Sequence, residues 1–469
     1  MQRRHFLAGL GAASALALLP GCARVNHRPA ARSDVIVIGA GLAGLAAAHA
    51  LQAGGARVRV LEASDRIGGR LHTVVRNGLR FEIGGVEVGT GYARVHAHAQ
   101  RVGVGINPPS VARPPASGMG FQLGDGIIPS SAWATSPYNT LQGRERSLPP
   151  TQLLATALNE LALPAVDSWR DPARLALDVS LAEQLASRGW SADAIALMDI
   201  GNAYSSLHTV SALDVLRRDA LRRYGQPGTG WIDGGSQALP EAMAASLASE
   251  VVHNAQVAAV ESSARGVQVR CADGRRFQAG HVVLAIPSLP LSRIVIDPAP
   301  PAAQQAVWAG RGGNAVTTIH LQPTRPFWED DGLPLWLWGT GILQRVFAVP
   351  GDDGRINRLI VWLNGAVAQQ ADRLDRQARA DWIINEFARV RPASRGALKL
   401  LETRSWGSDP LAGGAFAEIM PGRFAQTLQW NNTPFGRLHF AGEQTELDVP
   451  GMEAAVQSGE RAAAAILAA

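Results

Sequence analysis

Lysine is almost absent from this sequence: Lys399 stands alone among 44 lysines and arginines. Nearly every positive charge is therefore a guanidinium, which neither deprotonates near neutrality nor forms a Schiff base, so ordinary lysine-based covalent chemistry is closed off. The two cysteines, Cys22 and Cys271, give no metal-ligand spacing and no disulfide framework. No run of five basic residues occurs despite a net charge of +5, and the arginines are scattered among acids, which argues against a nucleic-acid partner. What remains is a chain of 469 residues, 46% hydrophobic and 18% charged, too long for one simple core and too apolar for disorder. Two globular domains are the expectation.

The N-terminus reads as an address. Arg3 and Arg4 precede His5-Phe6-Leu7 and an uncharged stretch to Leu19, the charged and apolar regions of a signal peptide over residues 1–22, too short to span a bilayer comfortably. The arginine pair resembles the twin-arginine signal, used by proteins that fold, often around a cofactor, before export. Leu19-Pro20-Gly21-Cys22 also resembles a bacterial lipobox, in which the cysteine takes a lipid; simple cleavage near Cys22 is the alternative. Either way the expected location is periplasmic or attached to the cell envelope.

From Ser33 to Ile38 a β-branched strand runs into Gly39-Ala40-Gly41-Leu42-Ala43-Gly44 and an alanine-rich helix through Leu51, with a second strand at Arg57 to Leu61. Gly39 suits the tight turn, Gly41 the approach of a pyrophosphate, and Gly44 close helix–strand packing. Phosphates on the helix N-terminus would meet unpaired N–H groups and the positive dipole end. Glu62, ending the second strand, can accept from both ribose hydroxyls and would repel a 2′-phosphate, which disfavours NADP.

Asp65-Arg66-Ile67-Gly68-Gly69-Arg70 follows, and Gly84-Gly85 lies shortly beyond. Together, Leu61-Glu62-Ala63 and Gly68-Gly69-Arg70 resemble the extended FAD fingerprint of the flavin-containing amine oxidase superfamily, which includes monoamine, polyamine and L-amino-acid oxidases. The resemblance implies that Glu62 and Ala63 serve the cofactor, that Arg70 binds its pyrophosphate bidentately, and that Glu82-Ile83-Gly84-Gly85 passes beside the flavin ring where a side chain would collide. Gly230 to Leu239 resembles the family's return into the FAD domain, after which strands are read at Val251 to Val260, Val267 to Cys271 and His281 to Ile286. Val257 falls where the family's backbone meets the adenine. Gly436 to Glu443 and the helix beginning Gly451-Met452-Glu453 complete the match. The resemblance implies that Gly442 and Glu443 hold the ribityl and phosphate part, and that Met452 lies at a helix N-terminus aimed at the flavin O2 and N1 edge, where the positive helix end would stabilise the anionic reduced form.

The implied fold is α/β. A discontinuous Rossmann-like FAD-binding domain takes residues 31–102, 230–310 and 405–469, and a second, mixed α+β substrate domain takes 103–229 and 311–404. The substrate domain opens on a proline-rich stretch, Pro108 to Pro115, followed by helices near Thr151 to Leu163, Ser180 to Arg188 and Ser191 to Asn202, with a strand at Ala315 to Leu321. Arg325-Pro326-Phe327-Trp328 resembles the Pro-Phe-Trp of monoamine oxidases, and counting back places Thr318 where that family has the lysine that holds a water at flavin N5. Gly413-Gly414-Ala415-Phe416 aligns with the stretch that carries their flavin-linking cysteine; Ala415 stands there, so FAD is expected to be non-covalent. Phe416 matches one wall of the aromatic cage that presents the amine, while Gly451 stands where the second wall is usually a tyrosine, so the cage is one-walled unless another residue closes it. Trp406 falls on a flavin-facing tryptophan position, Trp430 is an uncommitted aromatic nearby, and Glu87 is read as a solvated loop acid rather than an ammonium dock.

The resemblance implies hydride transfer from the carbon beside a neutral amine to flavin N5, then hydrolysis of the imine to a carbonyl. Phe416, Trp406 and Thr318 are the expected lining of the flavin face. Electrons would pass to oxygen or to an envelope redox carrier, with the missing lysine favouring slow oxygen use unless an arginine such as Arg311 or Arg345 supplies the charge. Two alternatives stay open: a carbon–carbon desaturase or porphyrinogen oxidase of the same fold, and a non-catalytic flavin-bound envelope protein.

Overall fold

Val35–Ile38 is buried at all four positions, the pattern of a central strand covered on both faces. It pairs in parallel with Val58–Leu61 on one side and with His281–Leu284 on the other, and Leu438–Phe440 completes a four-stranded parallel sheet. Segments far apart in sequence thus meet in one layer. The computed structural model describes residues 33–108, 118–226, 228–351 and 353–469; Arg3, Arg4 and Cys22, and residues 109–115 of the proline-rich stretch, lie outside the described residues.

The helix Leu42–Ala53 leaves the first strand and packs against the C-terminal helix Gly451–Leu467. Side chains are excluded at two points, one between these two helices and one between the first helix and the turn that precedes it. A Cβ on Gly459 would lie 2.1 Å from the Ala43 carbonyl oxygen, and one on Gly44 would lie 1.9 Å from that of Gly39. Gly44 is therefore a packing glycine one layer beneath the turn.

A second four-stranded sheet combines Val257–Ser263, Gly266–Cys271, Arg276–Ala279 and Val295–Asp297. The strand expected from Val251 begins only at Val257, because Asn254 adopts a left-handed φ of 52° and Val252 makes no more than an isolated bridge to Leu61.

The residues expected to form the second domain build a seven-stranded sheet in the order Leu398–Ser405, Val316–Pro323, Ile356–Asn364, Arg345–Pro350, Trp336–Gly339, Met119–Leu123, Gly126–Pro129. Beside it the helices Pro150–Glu160, Leu181–Ser187, Ala192–Gly201 and Ala212–Tyr224 bury Trp133, Trp169 and Trp190 in one apolar cluster. Ile419 and Phe424 join that cluster, so the C-terminal segment serves both lobes, and residues 33–469 form one compact unit.

The helix Ala212–Tyr224 is absent from the sequence expectations, although its i,i+3 and i,i+4 ion pairs, Asp214 with Arg217 and Arg218 and Asp219 with Arg222 and Arg223, are a helical charge pattern. Asp214 is fully buried and 2.5 Å from Arg217. Burial pushes its carboxyl up, but Arg218 and Arg217 more than offset this and hold it well below the ordinary carboxylate range. Asp214→Asn strands a buried guanidinium and is expected to cost about 3–5 kcal/mol, read as a lower Tm. The carboxylate's contribution is present above its unfolded value near 3.8 and fades only as pH falls through the lower folded value. The Tm gap should therefore stay constant from neutrality down to about pH 4 and close only in stronger acid.

Candidate active site

One cavity of about 1280 Å³ is lined by every cofactor and flavin-face position expected from the sequence except Gly44. That volume exceeds the roughly 300–1,000 Å³ of ordinary small-molecule sites and suits a dinucleotide with a substrate beside it.

At one end Gly39 and Gly41 lead into the first helix, whose start has no side-chain cap, leaving its first N–H groups for a ligand. The C-terminal helix is likewise uncapped, and Pro450, Gly451 and Met452 bring its N-terminus to the same cavity. Glu62 fastens the turn: its carboxylate accepts from Ala40 N at 2.8 Å and from Ser64 N and Oγ at 2.9 and 2.8 Å. A carboxylate has about four lone-pair sites and three are taken, so capacity for one ribose hydroxyl remains, one fewer than the sequence reading expects. Ala63 and Val257 line the wall next to it.

Arg70 donates to Glu443 Oε1 at 3.0 Å and to the Ala415 carbonyl at 3.3 Å. Glu443 also accepts from Ala417 N at 2.8 Å. Burial raises the Glu443 carboxyl, yet Arg70 and Arg218 hold it below its usual range, so the pair is ionised. The glycine pair answers first to the protein itself: a Cβ on Gly84 would lie 2.2 Å from the Arg70 carbonyl oxygen, and one on Gly85 would meet Leu71 at 2.9 Å and Met452 at 3.5 Å. Gly442 lines the cavity beside Glu443.

The other end is a sheet face. Alternation along Val316–Pro323 turns Val316, Thr318 and His320 to the cavity, while Ile319 and Leu321 enter the core behind. Trp362 and Arg404 flank Thr318 on the neighbouring strands and also line the cavity. Trp406 is buried, with its indole N–H on the Ile83 carbonyl at 2.9 Å, and Arg404 lies 4.2 Å over its ring. Arg404 pairs with Asp409, yet its Nε is buried without a partner, a donor suited to an anionic ligand.

Phe416 meets Tyr204 edge-on, 6.2 Å between centroids, with Arg218 5.6 Å over the Phe416 ring. Burial pushes the Tyr204 hydroxyl up to about 12. Two aromatics absent from the sequence expectations thus lie near the expected cage positions, Tyr204 beside Phe416 and Tyr92 beside Gly451, its hydroxyl 3.3 Å from where a Cβ on Gly451 would stand. Of four tyrosines in the chain, these two line the cavity. Glu87 is exposed at its edge. Trp430 does not reach it. Nor do the two arginines suggested as charge donors: Arg311 is buried elsewhere, bonded to Asn431 and the Gln444 carbonyl, and Arg345 sits 5.5 Å over Trp362. Arg404 is the guanidinium beside Thr318.

The model of the family described as flavin containing amine oxidoreductase matches residues 42–467. The chain belongs to this family. Similar proteins include an L-amino-acid oxidase of Mus musculus, 26% identical over 94% of this chain and 71% of that one, and a flavin-containing amine oxidase of Danio rerio, 26% identical over 93% and 86%. Among solved structures, wild-type putrescine oxidase bound to putrescine is similar at 26% identity with a TM-score of 0.76, covering 93% of this chain and 99% of that one. Cyclohexylamine oxidase from Brevibacterium oxydans shares the fold, with a TM-score of 0.74 at 22% identity.

FAD-dependent oxidation of amines is accordingly the chemistry of this family member, and the uncapped helix ends, the orphaned Arg404 Nε and the size of the cavity fit that cofactor. Neither Cys271 nor Lys399 lines the cavity, in keeping with FAD held without a covalent bond. Arg70→Ala should weaken FAD binding by about 1.5–3 kcal/mol, roughly ten- to a hundred-and-fiftyfold, because it removes a charged donor and strands Glu443. Titration of deflavinated protein with FAD checks this.

Proposed function

We propose that the enzyme oxidises the carbon–nitrogen bond of an amine to an imine, which water hydrolyses to a carbonyl compound and a released amine. When bound, the flavin supplies the hydride acceptor. The supporting observation is that the dinucleotide cradle and the Phe416–Tyr204 aromatic pair open into one cavity. The rings exclude water around the apolar body of the substrate and orient it. Tyr204 keeps its proton to about 12, so it brings no negative charge to hold an ammonium, and the deprotonated amine is the species favoured. No side-chain nucleophile takes part.

The proposed electron acceptor is an envelope redox carrier in preference to oxygen. Thr318 is uncharged and the Arg404 guanidinium is compensated by Asp409. A free positive charge a few ångströms from the first-formed superoxide is worth about 1–4 kcal/mol, so its absence slows reoxidation by up to about a thousandfold. Anaerobic mixing with primary, secondary and cyclic amines, diamines and L-amino acids should bleach the flavin with at least one class; no bleaching with any would refute turnover. Mixing the reduced enzyme with oxygen should then give a slow phase relieved by cytochrome c. Reoxidation by oxygen as fast as turnover would count against the carrier.

The proposed location is the cell envelope, reached by the twin-arginine route. Replacing Arg3 and Arg4 by lysine should hold the protein in the cytoplasm, and Cys22→Ala should release it from membranes if the cysteine carries a lipid. Fractionation of expressing cells reads both.

A further inference from the structure

A buried histidine in the cavity wall is gripped from both sides. His320 is 1% exposed and stacks on Phe81 with ring centroids 5.0 Å apart. Its Nδ1 lies 2.9 Å from Arg358 Nη1, and its Nε2 lies 3.2 Å from Thr318 Oγ1. Arg358 itself packs 4.6 Å over the same Phe81 ring, so one aromatic face fixes both partners.

The protons can be assigned by elimination. A guanidinium has only donors, so Nδ1 accepts. Burial, and after it the charge of Arg358, hold the imidazole well below its ordinary pKa, so it is neutral and carries its single proton on Nε2. That N–H donates to Thr318 Oγ1. The hydroxyl must then turn its own proton away from His320. Trp362 and Arg404, the cross-strand neighbours of Thr318, bring donors, and no acceptor for this proton is found among the described residues. Thr318 faces the cavity, where a ligand can supply the acceptor.

We infer that Thr318 is a fixed hydrogen-bond donor to the flavin ring system, aimed by His320 and Arg358 as positioning residues. The inference rests on the cavity being the flavin site. It differs from a generic polar wall because the donor direction is set two residues away, by a charge that never touches the ligand.

The test compares Thr318→Val with Thr318→Ser, and His320→Leu with His320→Gln, each alone, and His320→Leu in the Thr318→Val background. Deflavinated protein is titrated with FAD, and the absorption spectrum and midpoint potential of the bound flavin are recorded. Thr318→Val should raise the FAD Kd about three- to tenfold and shift the flavin bands, the loss expected for one neutral hydrogen bond. Thr318→Ser, which keeps the hydroxyl, should match wild type. His320→Leu should reproduce the Thr318→Val spectrum and potential and add nothing to them in the double variant, whereas His320→Gln, with an amide donor in place of Nε2–H, should stay close to wild type. Wild-type affinity and spectrum in Thr318→Val would overturn the inference, as would additive spectral shifts from His320→Leu, which would mark His320 as packing alone. If His320→Leu fails to fold, the serine and valine pair still decides. Wild-type protein that takes up no FAD is a separate outcome and overturns the reading of the cavity itself.

Discussion

The ion pair between Arg70 and Glu443 is the contact on which the cavity depends, because it ties the first segment of the chain to the last at the point where both meet the ligand space. Charge spreads from it. Glu443 also feels Arg218, which pairs with Asp214, which in turn pairs with Arg217. Arg218 lies over Phe416, so the line of alternating charges runs from the dinucleotide cradle to the aromatic wall. Each member is taken from water and each is met by an opposite charge, the condition under which buried ions are tolerated. Loosening any link would disturb the cradle and the substrate face together.

The nucleotide half was legible because its demands are local. A turn, a close approach and an acid at a strand end need particular residues at fixed spacing, and Gly39 to Gly44 with Glu62 supply them within one strand–helix–strand unit. The substrate half is assembled by pairing between strands far apart in sequence, and its contributors carry no local signature. Thr318 was reached by counting back from Phe327 and Trp328, and Phe416 from its neighbours. Tyr204 lies in a turn after the helix Ala192–Gly201, Tyr92 in a loop before the helix Ala93–Arg101, and neither sits in any pattern. His320 and Arg404 were recoverable only in part: alternation from Thr318 points to position 320, whereas position 404 needs the antiparallel register with Leu398–Ser405. The glycine pair shows the converse limit. Gly84 and Gly85 were found for their place beside the cofactor, while the nearest atoms that forbid a side chain belong to Arg70, Leu71 and Met452.

The two ends of the cavity differ in how they treat charge, and the difference follows from what surrounds each. Where the helices begin, uncapped N–H groups and arginines make a region in which a pyrophosphate is stabilised and a cation is not. At the sheet face Tyr204 keeps its proton to about 12 and His320 does not gain one, while the Arg404 guanidinium is paired with Asp409. An ammonium arriving there would shed its water without meeting a free carboxylate from either residue, a cost that shifts it toward the neutral amine. Glu87 stands apart from both, exposed at the edge, where water screens its charge. Its field can draw cations toward the mouth, but it does little to hold them inside. On the proposed reaction, the lone pair that hydride loss from the adjacent carbon requires is the one a neutral amine carries at this face, where neither Tyr204 nor His320 offers a negative charge to hold the extra proton.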